Sequence, residues 1–187
     1  MTRADPAAAT GNVDGVTLRR WTSDDRWAMR EMNADPQVMT TIGPVMDDAA
    51  SDAFIDRIDR SFVDHGFGLW CVDVNGEPAG FCGLMLPWFR DGVEIGWRLR
   101  SSMWGRGIAT TAARLAADQA FSVSGLGLTE LISFTAAINS RSIAVMERLG
   151  MERDLGGDFL HPGVPPESPL APHVLYRLSA ARYRDGL

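Results

Sequence analysis

The sequence predicts one mixed α/β domain built round a central hairpin, and three observations lead there. Asn75-Gly76 separates two runs rich in apolar and aromatic residues, the strongest short signal for a two-residue hairpin turn. Runs of strand period two alternate along the chain with runs of helix period near four. No internal repeat or linker divides the 187 residues, a length that suits one sizeable core.

In chain order, residues 1–15 read as a disordered leader, and the domain is expected from 16 to 187. Residues 16–21 form a first strand. Ser23 is the expected N-cap of a helix over 23–35, with acids in its first turn and Pro36 as its stop. A second helix covers 46–66, where Phe54, Ile58 and Phe62 recur every four residues and Gly66 closes the last turn. Strands 67–74 and 77–88 make the hairpin. Strand 92–100 carries Val93, Ile95, Trp97 and Leu99 on one face and Glu94, Gly96 and Arg98 on the other. A helix follows over 107–121, with Ile108, Ala112, Leu115 and Ala116 on one side. The apolar run 128–136 reads as a central strand. Asn139 caps a helix that Gly150 ends. Residues 161–172 hold five of the ten prolines and form an ordered or stiff loop, since proline fixes φ and lacks an N–H. Strand 173–178 comes last, and one more short strand is allowed.

Composition removes several classes of function. Hydrophobic residues at 45% and charged residues at 22% describe an ordinary globule. A net charge of −6 argues against a general nucleic-acid binder, although Arg98, Arg100 and Arg106 form a local basic spot. No apolar run approaches the ~18 residues of a membrane span. The first residues lack a signal-peptide core, so a cytoplasmic protein is expected. Cys71 and Cys82 lie in strand-like runs with no CxxC and no histidine nearby, so they read as buried thiols and no metal site is expected.

The chemistry is expected at "VEIGWRLRSSMWGRGIATTAARLAADQAF", 93–121, where a strand passes through a two-glycine loop into a helix. Such a loop aims backbone N–H groups at an anion, and the helix dipole favours negative charge there. A Walker loop needs lysine, and all 18 basic residues of this chain are arginine. A dinucleotide fingerprint fits poorly, because three strands precede the loop and the next strand has no acid at its end. ATP or NAD binding is therefore the outlying reading.

Trp104-Gly-Arg-Gly107-Ile-Ala109 resembles the pyrophosphate loop of the GNAT superfamily of N-acetyltransferases, with tryptophan where glutamine or arginine is usual. A branch that includes the ribosomal-protein-alanine N-acetyltransferases carries a WGxG loop of this kind. "EIGWRL" before it, "NSRSIAVMERLGM" after it and "NADPQVM" near the start resemble the same branch. The resemblance spans 16–178. It implies a mixed sheet whose central strands splay apart, flanking helices, and an acetyl-CoA-dependent N-acetyltransferase acting on a primary amine of a peptide or small molecule. A non-catalytic acyl-CoA-binding module on the same fold is the alternative.

Residue by residue, the resemblance implies that the backbone of Trp97, Arg98 and Leu99 pairs with the cofactor's pantetheine arm. Trp104, Gly105, Arg106, Gly107, Ile108, Ala109 and Thr110 form the pyrophosphate cradle, and Asn139 contacts the arm. Trp97 also fits a plain core position, Arg106 a solvated charge, and Asn139 a simple helix cap. Glu94 resembles a family base; it also fits an exposed strand carboxylate paired with Arg98. Much of the family has a tyrosine acid after the asparagine, which is missing here, and Ser142 is the candidate proton or hydrogen-bond donor in its place. His161 and His173 flank the proline-rich loop and read as structural, with a catalytic part as the lesser alternative. Many relatives are dimers, so a homodimer is allowed, though no stripe commits to an interface.

Overall fold

The computed structural model describes residues 10–186. Strands β1 (Thr10–Val13) and β2 (Val16–Arg19) form a short antiparallel hairpin that starts the sheet. The expected leader thus already carries a strand at its end. Its first nine residues lie outside the described part of the chain.

The first helix differs at both ends from its expected limits. A turn of 3-10 helix, Ser23–Asp25, precedes α1 (Arg26–Ala34). Thr22 rather than Ser23 is the cap residue: its N–H and its hydroxyl both donate to Asp25 Oδ2 at 2.8 Å. Asp25 also accepts from Arg19 at 2.6 and 2.9 Å, which locks this turn to β2. Pro36 does end α1, because the residue before a proline is pushed out of the helical region, and Asp35 has φ −77° and ψ 113°. It also opens α2 (Pro36–Met39), where its missing N–H costs nothing. Asp35 caps α2 by accepting the Gln37 N–H at 2.8 Å, and it accepts the Ser101 hydroxyl at 2.5 Å. That second bond ties α2 to the segment after the central strand. Helix α3 (Asp48–His65) starts at Asp47, which accepts the Ala50 N–H at 2.7 Å, and stops at Gly66.

Strands β3 (Leu69–Val74) and β4 (Glu77–Met85) form the expected hairpin across Asn75-Gly76. Then come β5 (Glu94–Leu99), α4 (Ile108–Phe121), β6 (Glu130–Ala136) and α5 (Ser140–Arg148). Short strands β7 (Glu152–Arg153) and β8 (Phe159–Leu160) precede β9 (Pro172–Ser179) and a terminal helix α6 (Ala180–Asp185). The nine-stranded sheet runs β1-β2-β3-β4-β5-β6-β9-β7, with β8 also on β9. Every pairing is antiparallel except β5 with β6.

That exception shapes the molecule. β5 pairs with β4 along six residues, from Glu94↔Met85 to Leu99↔Gly80, and β6 pairs with β9 along seven. Between them β5 and β6 share one register pair, Glu94↔Ile132. The Ile132 N–H donates to the Val93 carbonyl at 2.9 Å, and the Ser133 hydroxyl to the Ile95 carbonyl at 2.8 Å. Past Ile95 the strands part.

Helices α1 and α3 cover the face that carries Phe81 and Arg98: Phe54 of α3 meets Phe81 at 5.6 Å between ring centres. The other face is covered by α4, which packs its alanine-rich side on β2, β4 and β5. Trp70, Leu84, Ile95, Leu131 and Met146 are among the fully buried core side chains. Cys71 and Cys82 are buried free thiols, and burial pushes the Cys71 thiol up to about 12. The proline-rich loop is held by turns and closed by the His161 N–H on the Ala171 carbonyl at 2.9 Å.

Candidate active site

A cavity of about 520 Å³ opens where β5 and β6 part, within the range of small-molecule sites. Its walls come from the end of β5, the loop into α4, the first turns of α4 and α5, and α2 with the residues after it. Every residue expected at the cofactor site lines it, from Trp97 to Leu99, from Trp104 to Thr110, and Asn139; so does Ser142.

The backbone of β5 explains why the gap is sticky. Successive residues of a strand direct their N–H and C=O to opposite edges. Val93 and Ile95 face β6, so Trp97 and Leu99 face the gap that β6 has left. Arg98 turns its own backbone the other way, toward its β4 partner Phe81, as Arg100 does in donating to Ala79 at 2.9 Å. Of the three residues expected to present backbone to a ligand, Trp97 and Leu99 turn theirs to the open edge, where the Leu99 carbonyl is taken by the Trp104 indole N–H. Arg98 contributes its side chain.

The loop fits an anion on independent grounds. Gly105 and Gly107 have φ of 73° and 77°, a region costly for residues with a Cβ, and a Cβ on either would project into open space. Gly107 is the N-cap of α4, so no side chain satisfies the first N–H groups of that helix. These free donors at the positive end of the dipole are what a pyrophosphate would take. Arg106 adds charge at the rim. Trp104 has a structural job, since its indole N–H donates to the Leu99 carbonyl at 3.0 Å and folds the loop back on the strand. The Arg141 guanidinium lies 4.2 Å above its ring.

Asn139 is committed on both sides. Its Oδ1 accepts the Ser142 N–H at 3.2 Å as the cap of α5, and its Nδ2 donates to Thr135 Oγ1 at 3.0 Å. This holds the first turn of α5, and the Ser142 hydroxyl with it, against β6.

For Glu94 the alternative of an exposed carboxylate paired with Arg98 does not hold. It is 9% exposed, not an exposed strand carboxylate, and it does not pair with Arg98, whose Nη1 donates to Asn33 Oδ1 at 2.7 Å instead. Burial pushes the Glu94 carboxyl up to about 8, against the pull of the nearby Arg90 cation. Glu94 is not among the residues that line the cavity. Along β5 it lies three residues before Trp97, the first strand residue to line the cavity, and Gly96 separates it from Arg98 on the same face.

Beside Glu94 the sheet carries a wall that sequence reasoning missed. Phe89, Phe134, Phe159, His161 and His173 stack on one another, with the two imidazoles 4.9 Å apart. Arg90 lies 4.1 Å over Phe159. Burial lowers the pKa of both histidines, and His173 Nδ1 donates to the Ala171 carbonyl at 3.1 Å. Neither histidine reaches the cavity. The available signal was register: Phe134 is two residues from Ile132, which pairs with Glu94, so it shares that face. Among the described residues, no group of three or more His, Cys, Asp and Glu could hold a metal ion, and no helix is long and apolar enough to cross a membrane.

Comparison with known proteins gives this geometry a family. The model of the GNAT acetyltransferase domain matches residues 16–152. FsC-acetyl coenzyme A-N(2)-transacetylase of Aspergillus fumigatus is 31% identical over 160 residues, which cover 80% of this chain and 66% of the fungal protein, so the match spans just under two thirds of that relative's length. The crystal structure of an acetyltransferase from Agrobacterium tumefaciens superimposes with a TM-score of 0.73 at 30% identity, over 90% of this chain and 93% of that one. RimJ of Mycobacterium smegmatis, solved in complex with CoA-disulfide, shares the fold with a TM-score of 0.73 at 19% identity, over 96% of this chain and 95% of its own. The parted strands, the uncapped glycine loop and these matches together make the chain a member of the GNAT acetyltransferase family, an acyltransferase by class.

Proposed function

We propose that the protein transfers the acetyl group of acetyl-CoA to a primary amine. The observation that carries this reading is the continuity of the cavity. It joins free N–H groups at the start of α4 to the open backbone edge of Trp97 and the Leu99 N–H, and the buried Glu94 carboxyl stands three residues before Trp97 on β5. The loop would hold the pyrophosphate and the strand edge the pantetheine arm, which places the thioester toward Glu94. Acetyl-CoA brings an activated acyl group; the chain's part is to align it and to manage protons.

An ammonium cannot attack a carbonyl, so a base must remove a proton from the acceptor. Glu94 has that role here, and a carboxyl raised to about 8 is a far better base than an ordinary one. The acceptor would reach it past Gly96, beside the flexible end of Met85. Ser142, fixed by Asn139, is the donor for the departing sulphur.

The test is release of free thiol from acetyl-CoA in the presence of a panel of peptides and small amines. Turnover is expected with some acceptors, and Gly107→Val should remove both turnover and coenzyme A binding. A parent protein that binds no coenzyme A would end this reading.

A further inference from the structure

Among the described residues Arg98 is a cation without a counter-ion. None of the ion pairs among the described residues includes it. Arg100, two residues on, has both Glu31 at 3.0 Å and Glu77 at 2.7 Å. The Nε of Arg98 is buried with no hydrogen-bond partner among the described residues. Burial lowers its pKa to about 10, so it stays charged at neutral pH while its surroundings compensate that charge poorly. An unpaired buried charge is costly unless something supplies the missing partner.

The cation is nonetheless held in place. Its Nη1 donates to Asn33, which is fully buried and is oriented by its own bond to Ser51 at 3.2 Å. Its guanidinium carbon lies 5.3 Å from the centre of the Phe81 ring. It also lines the cavity. Arg90, the other arginine on this face with a buried unpartnered nitrogen, does not line the cavity.

Along this face of β5 the order is Glu94, Gly96, Arg98. A Cβ on Gly96 would meet Met85 Cε at 3.3 Å and Glu94 Oε1 at 3.7 Å, so between acid and cation the strand is bordered by the flexible end of Met85 and by the Glu94 carboxyl itself. Four residues of strand separate their Cα atoms by about 13 Å, and the Glu94 carboxyl leans into that interval beside Gly96.

We propose that the acceptor is an amino-acid-like molecule, its amine over Gly96 beside Glu94 and its carboxylate on the Arg98 guanidinium. The inference rests on the acetyl-transfer reading and adds the chemical class of the acceptor. The planar fork of arginine matches a carboxylate with two parallel hydrogen bonds, and a carboxylate supplies the absent counter-ion. The aromatic side chains round the site exclude water and strengthen that pair.

The experiment compares free amino acids with their carboxamides as acceptors, reading kcat/KM from thiol release. The acids should exceed the amides by about tenfold to a hundredfold, the worth of a hydrogen bond to a charged group. Arg98→Gln should erase that preference through KM, and Arg98→Lys should keep part of it. A binding readout stands beside turnover: calorimetry of the parent protein with coenzyme A should detect N-acetyl amino acids and not N-acetyl amino acid amides. Amides accepted as well as acids, N-acetyl amides bound as well as the acids, or a preference that survives in Arg98→Gln would each overturn the proposal while leaving acetyl transfer intact. Absence of thiol release with every amine would instead count against acetyl transfer, and the calorimetric comparison on the parent would then decide the role of Arg98 by itself.

Discussion

Glu94→Gln separates what the buried carboxyl does for the reaction from what it does to the fold. The folded pKa of about 8 lies above the ordinary value of 4.5, so the folded state keeps a proton that the unfolded chain gives up between those two values. The unfolded state then binds fewer protons, and stability must fall as pH rises through that window. One proton contributes a slope of at most about 1.4 kcal/mol per pH unit, so the full window amounts to roughly 3–5 kcal/mol. That is a large part of the stability of a typical domain. Glutamine carries no proton to lose. The stability of the parent minus that of the variant, from urea unfolding at a series of pH values, should therefore decline between about pH 5 and 8 and level off above. Acetylation by the parent should rise with pH toward a plateau above about 8, and the variant should show a low rate without that rise. A parent-minus-variant difference that stays flat with pH would show that Glu94 is not a raised carboxyl. The base assignment would lose its physical ground with it.

Three further outcomes follow from the same geometry. Asn139→Ala should cost about 1–2 kcal/mol in thermal or urea unfolding, because it removes a helix cap and the tie to Thr135, and it should also weaken coenzyme A binding. Trp104→Phe keeps a ring beneath Arg141 but loses the bond to the Leu99 carbonyl, so coenzyme A affinity should drop by about fivefold to tenfold by calorimetry with little change in kcat. Ser142→Ala should lower kcat with KM for acetyl-CoA unchanged; an unaltered rate and pH profile would remove this hydroxyl from the reaction.

Local patterns in the sequence carried the fold a long way. Asn75-Gly76 placed the hairpin, Gly66 and Gly150 ended their helices, and the alternation in 92–100 gave the faces of β5 correctly. What failed was whatever depends on partners distant in sequence. Residues 10–13 hold too few apolar side chains to announce a strand; they become one because β2 offers an edge. Proline at 36 reads equally as a stop or a start, and the Asp35 bond to Ser101, 66 residues away, favours a new helix there. The loop was legible because its chemistry lies in backbone and glycines. The environment of Glu94 was left open between a base and an exposed carboxylate, since alternation says which face a residue shares and not what covers that face. Arg98 was taken for a possible partner of Glu94, while its actual neighbours Asn33 and Phe54 come from two separate helices. The aromatic and histidine wall gathers four separate segments, and no single stretch of sequence could have revealed it.

The single register pair between β5 and β6 makes the sheet two plates joined at a point. Five strands stand on one side of the joint and four on the other. A ligand arm that bonds to the open backbone of Trp97 and to the Leu99 N–H would act as a tenth, non-peptide strand and carry hydrogen bonding across the break. Occupancy should then be felt far from the chemistry. Amide exchange should slow on both flanks of the joint, and the plates should melt as one unit when filled and more independently when empty.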